Sequence, residues 1–490
     1  MQFYNPRIIL QLCIICLISS EIKSQTLHSK RHLHKITKQF VQNDLLKHAS
    51  ISFQIYDLKK KKSIASFDEH RSLVPASIQK ILTCAMVLKI AGNDFQFKTP
   101  VYLIGKKSDS IAFDGNIVLY GSSDPSFASA LMPGARSMES IADSIYNYLK
   151  GIGIEKIRGD VVVDESFIKD IPENPEWLYY DLANYYGAGC FGFNFMENRA
   201  RIVLKPSVQD SGICSIDNVR PEILRDYYES KLMGLKDVGE TEVFVIGSSN
   251  SCMQEIRGNW KCCISDSLII YAALNKPSAV FVSLLKQELQ KRGIQFERNQ
   301  LQTERDTKTI GSILSPSLDK LCSRALGKSV NLYCESFLHQ IGYQLNQTSD
   351  RKTAILSLEN ALKKLFYWED ADGFVLEDGS GLSPKNMLSA WQMNQFLLWL
   401  EFNSGLKSFW TLLPDAVQDS KLKNGIRLNK KFNFGLRLKS GSMERIRSFA
   451  GYITENGKPR YCVSILINHY SCSGDEMNTL LGSFFNQLLN

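Results

Sequence analysis

The order in which hydrophobic periodicities follow one another along this chain is what most limits its fold. Hairpin-like text from Ala49, "ASISFQIYDLKKKKSIASFDEH", leads into the apolar run "LVPASIQKILTCAMVL" from Leu73. That run reads as a helix continuing to about Ile90 and stopping at Ala91-Gly92-Asn93. Strands then dominate in "PVYLIG", "GNIVLYG", "GDVVVDESF", "RARIVLKP" and "TEVFVIGS", divided by Gly, Pro, Asp and Asn. Helical patterning returns in "AVFVSLLKQELQKRG" and in three segments near Leu332 to Leu345, Arg351 to Phe366 and Leu388 to Phe402. The chain ends with the strands "NFGLRLKSG", "SFAGYITENG" and "RYCVSILINHY" and a last helix after Asp475. Strands at both ends with helices between them imply an α+β domain, and the β-rich middle block reads as an insertion into it. The expected organisation is one divided domain, residues 25–96 and 306–490, interrupted by an inserted β-rich part at 97–305.

A chain of 490 residues with 44% hydrophobic content can bury a large core, which excludes a disordered protein. Near the start, one arginine precedes an apolar run from Ile8 to Ile18, and polar residues follow it. Such a run is short for a bilayer span and reads as a secretory signal over residues 1–24. Cys13 and Cys16 lack the small preceding residue of a lipoprotein cysteine, and no later stretch supplies the roughly eighteen apolar residues of a spanning helix. A periplasmic protein without a membrane anchor is expected. Half of the excess charge of +8 sits on Lys30, Arg31, Lys35, Lys38 and Lys47, opposed by Asp44. This leader reads either as a solvated terminal helix or as a segment that meets anionic envelope polymers. Nucleic acid is not expected as a partner. Ten cysteines remain past the signal without a repeated spacing, so no bridges are assigned; no ligand pair stands at metal spacing, and no metal or cofactor is expected.

Ser77 and Lys80 stand three residues apart where the first helix begins, a spacing that turns both to one face. As chemistry, the pair is a nucleophile beside its base; as structure, it is a surface turn. Histidine could not readily serve as that base, since only His339 and His469 lie outside the leader and the polar turn at His70. A lysine can, provided desolvation or a nearby positive charge lowers its pKa. A second lysine occurs in "LRLKSGSMER", where a strand ends in Lys439-Ser440-Gly441-Ser442. Gly441 would leave room for a substrate backbone along the strand edge, and the hydroxyls of Ser440 and Ser442 could hold a carboxylate. In "GKSVNLYCESFLHQIG", Ser329 and Asn331 precede an apolar helix, where they are either a helix cap or two side chains aimed into one cleft.

The ordered strings S-x-x-K, S-x-N and K-[TS]-G occur in β-lactamases and penicillin-binding proteins. With the large insertion between the first two strings, the chain resembles the D-alanyl-D-alanine carboxypeptidase/endopeptidase family, the low-molecular-mass class C penicillin-binding proteins. "GNIVLYGSSDPSF" and "EDGSGLSPKN" are similar to further blocks of that family. The resemblance implies a penicillin-binding/β-lactamase-like transpeptidase domain, an antiparallel sheet flanked by helices, and a serine carboxypeptidase acting on peptidoglycan stem peptides and inhibited by β-lactams. It implies that Ser77 attacks with Lys80 as base, that Ser329 bridges the two lysines and protonates the leaving amine, and that Asn331 holds the substrate amide. The backbone N–H groups of Ser77 and Ser442 would receive the oxyanion. Asp164 in "VVVDESF" would meet the free amine of a diamino acid, unless it caps a turn. Two features depart from the family: serines replace the threonines of its K-T-G-T string, and Pro384-Lys385 stands where many members place an arginine.

Overall fold

A computed structural model of the protein describes residues 27, 29–207, 211–235, 241–251, 253–261, 266–297, 306–369, 372–419, 422, 426–428 and 434–489. The signal-like segment and Cys252, Cys262 and Cys263 lie outside the described residues. The main sheet contains β1 (Ser50–Asp57), β2 (Lys62–Phe67) and the C-terminal meander, which a second sheet separates from them along the chain. That second sheet includes β3 (Lys98–Lys107), β4 (Ala112–Tyr120), β5 (Val161–Asp164) and β6 (Asp306–Leu314). The meander is β7 (Gly435–Met443), β8 (Ile446–Glu455) and β9 (Lys458–Asn468), giving the antiparallel order β7-β8-β9-β1-β2. β7 is therefore an edge strand.

Alternation along these strands supplies two faces. Ala450, Tyr452, Cys462 and Leu466 join one core with α2 (Lys80–Ala91), α5 (Leu318–Lys328), α6 (Asn331–Asn346), α7 (Arg351–Phe366) and α8 (Ala390–Phe402), while Phe449, Ile453, Val463 and Ile465 join the other with α1 (Lys30–Val41) and α9 (Gly474–Leu489). α2 is buried on nearly every side, as its almost unbroken apolar text requires, and Gly92 at φ 89° ends it. The basic leader is more than a solvated helix. Leu33, Ile36 and Phe40 recur at helical spacing and bury themselves beside α9, with Phe40 and Phe484 ring centroids 4.4 Å apart, while Arg31, Lys35 and Lys38 stay exposed.

The middle of the chain builds its own core, whose buried residues all fall between Val101 and Ile313. It also contains a helix that the strand-rich text conceals, α3 (Met138–Gly151), capped by Ser137 and buried through Ile141, Ala142, Ile145 and Leu149; α4 (Pro277–Lys291) follows the expected pattern. β6 pairs with β3 from Asp306↔Gly105 to Leu314↔Lys98. We propose on that pairing that the chain returns from the insertion after Leu314, and not at 306.

His339, on the same helix as Asn331, is fully buried, with Nδ1 2.6 Å from the Ser349 carbonyl and no partner for Nε2 among the described residues. Burial pushes its pKa down to about 4, with Arg351 acting in the same direction and Asp170 and Asp350 opposing it. The unfolded chain, with a histidine pKa near 6.5, then binds more protons between about pH 6.5 and pH 4, so this contribution to stability is complete above 6.5 and is lost on acidification. His339→Asn keeps a donor toward Ser349 but cannot charge. Urea unfolding at pH 7.5 and pH 4.5 is expected to show the wild type losing about 2–3 kcal/mol more than the variant across that interval.

Candidate active site

Ser77 lies in a 3-10 turn, Ala76–Gln79, that runs directly into α2. Ala76 is held at φ 48° and Ser329 at φ 57°, both left-handed and non-glycine. Backbone of this kind costs roughly 1–3 kcal/mol per residue and persists only where its surroundings enforce it. The two strained residues adjoin or belong to two of the three strings.

Lys80 is completely buried, and its Nζ donates to Ser77 Oγ at 2.8 Å and to the Ser380 carbonyl at 2.8 Å. Burial pulls its pKa below the usual lysine value, although Cys334, Asp378 and Glu335 favour the charged form. Ser329 closes α5 and does not cap α6: that helix starts after Val330 with no side-chain cap, so the cap reading of Ser329 and Asn331 fails. Lys439 Nζ, reaching in from edge strand β7, donates to Ser329 Oγ at 2.9 Å and to the Ser440 carbonyl at 2.7 Å. Lys80 thus holds Ser77, and Lys439 holds Ser329. Asn331 Nδ2 is already engaged by the Tyr186 carbonyl at 2.7 Å, which leaves its carbonyl oxygen for a ligand.

Gly441 serves a different purpose from the one expected. A Cβ there would lie 2.8 Å from the Ser77 nitrogen, 2.9 Å from the Pro75 carbonyl and 2.2 Å from Ser448 Oγ. Its missing side chain admits the Ser77 turn against β7, and Ser448 Oγ fastens that turn by donating to Pro75 O at 2.5 Å. The glycine thus brings S-x-x-K and K-S-G together.

The text "EDGSGLS" forms the remaining wall. Asp378 accepts from the N–H groups of Gly381 (2.7 Å) and Ser383 (2.6 Å), from Asn386 Nδ2 (3.0 Å) and from Trp177 Nε1 (2.9 Å), and Gln79 Nε2 donates to its carbonyl at 2.6 Å. Gly381, at φ 82°, passes so close to the turn that a Cβ would lie 2.1 Å from Ala76 O. This loop presents the Ser380 carbonyl to Lys80. The sequence reading did not single out Ser380 or Gln79; the signal for Gln79 is its place between Ser77 and Lys80. Glu335, one turn beyond Asn331, is buried below and accepts from the Gly379 N–H at 3.3 Å; burial, with Asp378 adding to it, holds its carboxyl well above the usual range.

Asp164 ends β5, where its Oδ1 accepts from the Ser166 N–H at 2.8 Å. Lys385 forms an ion pair with Glu176 and is 64% exposed. In the aromatic stretch that follows Glu176, Trp177 and Phe193 are buried, whereas Tyr179, Tyr180 and Tyr185 are exposed. Among the described cysteines, Cys84, Cys190, Cys322, Cys334, Cys462 and Cys472 are free thiols.

Comparison with known proteins agrees with this assembly. The D-alanyl-D-alanine carboxypeptidase DacB of Haemophilus influenzae is 21% identical over 439 residues, covering 88% of each chain. The penicillin-sensitive carboxypeptidase A of Dictyostelium discoideum is 23% identical over 423 residues, covering 81% of this chain and 77% of that one. The crystal structure of penicillin binding protein 4 (dacB) from Haemophilus influenzae shares the fold, with a TM-score of 0.76, 19% identity and coverage of 92% of this chain and 99% of that chain. With residues 33–480 matching its family model, the chain belongs to the D-Ala-D-Ala carboxypeptidase 3 (S13) family.

Proposed function

We propose that this protein is a serine-type D-Ala-D-Ala carboxypeptidase working through an acyl-enzyme on Ser77. The observation that carries the reading is the contact of the fully buried Lys80 amine with Ser77 Oγ at 2.8 Å, beside a second amine on Ser329. A neutral Lys80 amine takes the Ser77 proton as Oγ bonds to the carbonyl carbon of the penultimate D-Ala. The oxyanion is received by the backbone N–H groups of Ser77 and Ser442, in the manner of a preorganised pair of donors. The C–N bond breaks as Ser329, polarised by Lys439, protonates the amine of the departing D-Ala and regains its proton from the Lys80 ammonium, which leaves that amine neutral again. Water, deprotonated by Lys80, then hydrolyses the ester. Ser440 and Ser442 bind the terminal carboxylate, and the Asn331 carbonyl oxygen accepts from the substrate amide. A β-lactam follows the same first step, but its opened ring cannot leave. The substrate is the peptidoglycan stem peptide in the periplasm, and a cross-link between two stems is a second peptide of the same chemistry, with Asp164 as the partner for its diamino acid amine. No helix among the described residues is long and apolar enough to cross a membrane.

The test combines labelling with turnover. Labelled penicillin is expected to attach once per chain to the wild type and not to Ser77→Ala, and free D-Ala is expected from an N-acylated pentapeptide with the wild type alone. Labelling of Ser77→Ala refutes the nucleophile. Wild type that takes label but neither releases D-Ala from the pentapeptide nor splits a cross-linked dimer into its two stems refutes the peptidase reading.

A further inference from the structure

The carboxylate end of the site contains a charged side chain that none of the three strings includes. Arg447 stands opposite Ser442 in the β7–β8 ladder, and its Nη1 donates to Ser442 Oγ and to the Ile446 carbonyl, the latter at 3.2 Å. Its guanidinium carbon lies 6.0 Å from the Tyr470 ring centroid, on the path from β9 to α9. Arg447 is half-buried and forms no ion pair among the described residues, whereas its neighbour Arg445 is paired with Glu444. Lys385, the cation of the "DGSGLSPK" loop, is turned to Glu176.

Arg447 also faces space. A cavity of about 290 Å³ opens beside the Lys439–Ser329 pair, lined by Ser329, Lys439, Ser440, Ser442 and Arg447. Lys328 lies on its wall with Asp419, whose Oδ1 accepts from the Leu422 N–H at 2.9 Å. Three cations against one carboxylate give this cavity a positive field. Hydroxyls alone bind a carboxylate without discriminating strongly against an uncharged amide. A guanidinium discriminates, because its planar donors match both oxygens and its charge is fixed.

We propose that Arg447 is a specificity-determining residue that binds the C-terminal carboxylate of the peptide together with Ser440 and Ser442, making this enzyme selective for a free chain end. The inference rests on the carboxypeptidase reading. The substrate carboxylate accepts from the guanidinium beside the Ser442 hydroxyl that Arg447 already holds, so little ordering remains to be done on binding.

The experiment compares an N-acyl peptide ending in D-Ala-D-Ala with its C-terminal carboxamide. For each enzyme the reading is the ratio of kcat/KM for the acid to that for the amide. A charge-assisted hydrogen bond lost in Arg447→Gln is expected to lower this ratio about 10- to 100-fold, chiefly through KM for the acid. Arg447→Lys, which keeps the charge but loses the fork, is expected to fall between wild type and Arg447→Gln. Ratios within about threefold of wild type in both variants overturn the proposal, as does an equal loss on acid and amide, which marks a merely structural arginine. Wild type that takes penicillin label but cleaves neither peptide refutes the carboxypeptidase reading instead.

Discussion

Replacing Lys80 with alanine is expected to slow acylation of Ser77 by about 10²–10⁴-fold, the range typical of a lost general base. The amine is wholly buried, within hydrogen-bond distance of the nucleophile, and held from behind by the Ser380 carbonyl. In the wild type, burial lowers the Lys80 pKa, so acylation should rise with pH through that lowered value and level off below the pH at which an exposed lysine titrates. Lys80→Ala should lose that limb of the profile along with the rate. Second-order rate constants for labelled penicillin, measured from pH 5 to pH 10, separate the cases. A variant that retains the wild-type pH limb, or loses less than tenfold in rate, assigns the proton to another base. Urea unfolding of the same samples controls for folding.

The second large effect concerns the joint between the inserted part and the helices that carry Ser329 and Asn331. Glu197, 2% exposed, accepts from Arg324 Nε and Nη2 at 2.5 and 2.7 Å, from Tyr333 OH at 2.9 Å and from Ser129 Oγ at 3.1 Å. Arg324 belongs to α5 and Tyr333 to α6, so one carboxylate from the insertion ties both helices on either side of Ser329. Removing one member of a buried pair leaves the other charge uncompensated. Glu197→Ala is therefore expected to destabilise by about 3–5 kcal/mol. The double change Glu197→Leu with Arg324→Leu should recover much of that loss, because neither charge is then stranded. Denaturant unfolding measures both; a loss under about 1 kcal/mol in Glu197→Ala would show that the pair does not hold the joint.

Expectation and structure diverge in an instructive way around residues 137–151. That stretch offers an N-capping serine and apolar residues at helical spacing, yet among neighbouring strand runs it passed unnoticed, and it became α3. The boundary we propose after Leu314 could not be read from the residues for another reason. Asp306–Leu314 has no alternation that distinguishes one sheet from another, and only its pairing with β3 shows where it belongs. The leader could be read as amphiphilic from its residues, but its burial against α9 depends on a surface some four hundred residues further on.

What the sequence determined alone is the chemistry on offer: a serine and a lysine one helical turn apart, a second lysine and serine in their own strings, and the period of each element around them. Such features are local, set by side-chain type and by spacing along one strand or helix. Which atoms meet is not local. That Gly441 leaves room for the Ser77 turn, that Lys80 meets Ser77 and Lys439 meets Ser329, and that the Asn331 NH₂ donates to Tyr186 all arise where distant segments close on one another. Arg447 shows the same limit: in the sequence it is one more arginine after a turn, and only the β7–β8 register sets it across from Ser442 at the edge of the cleft.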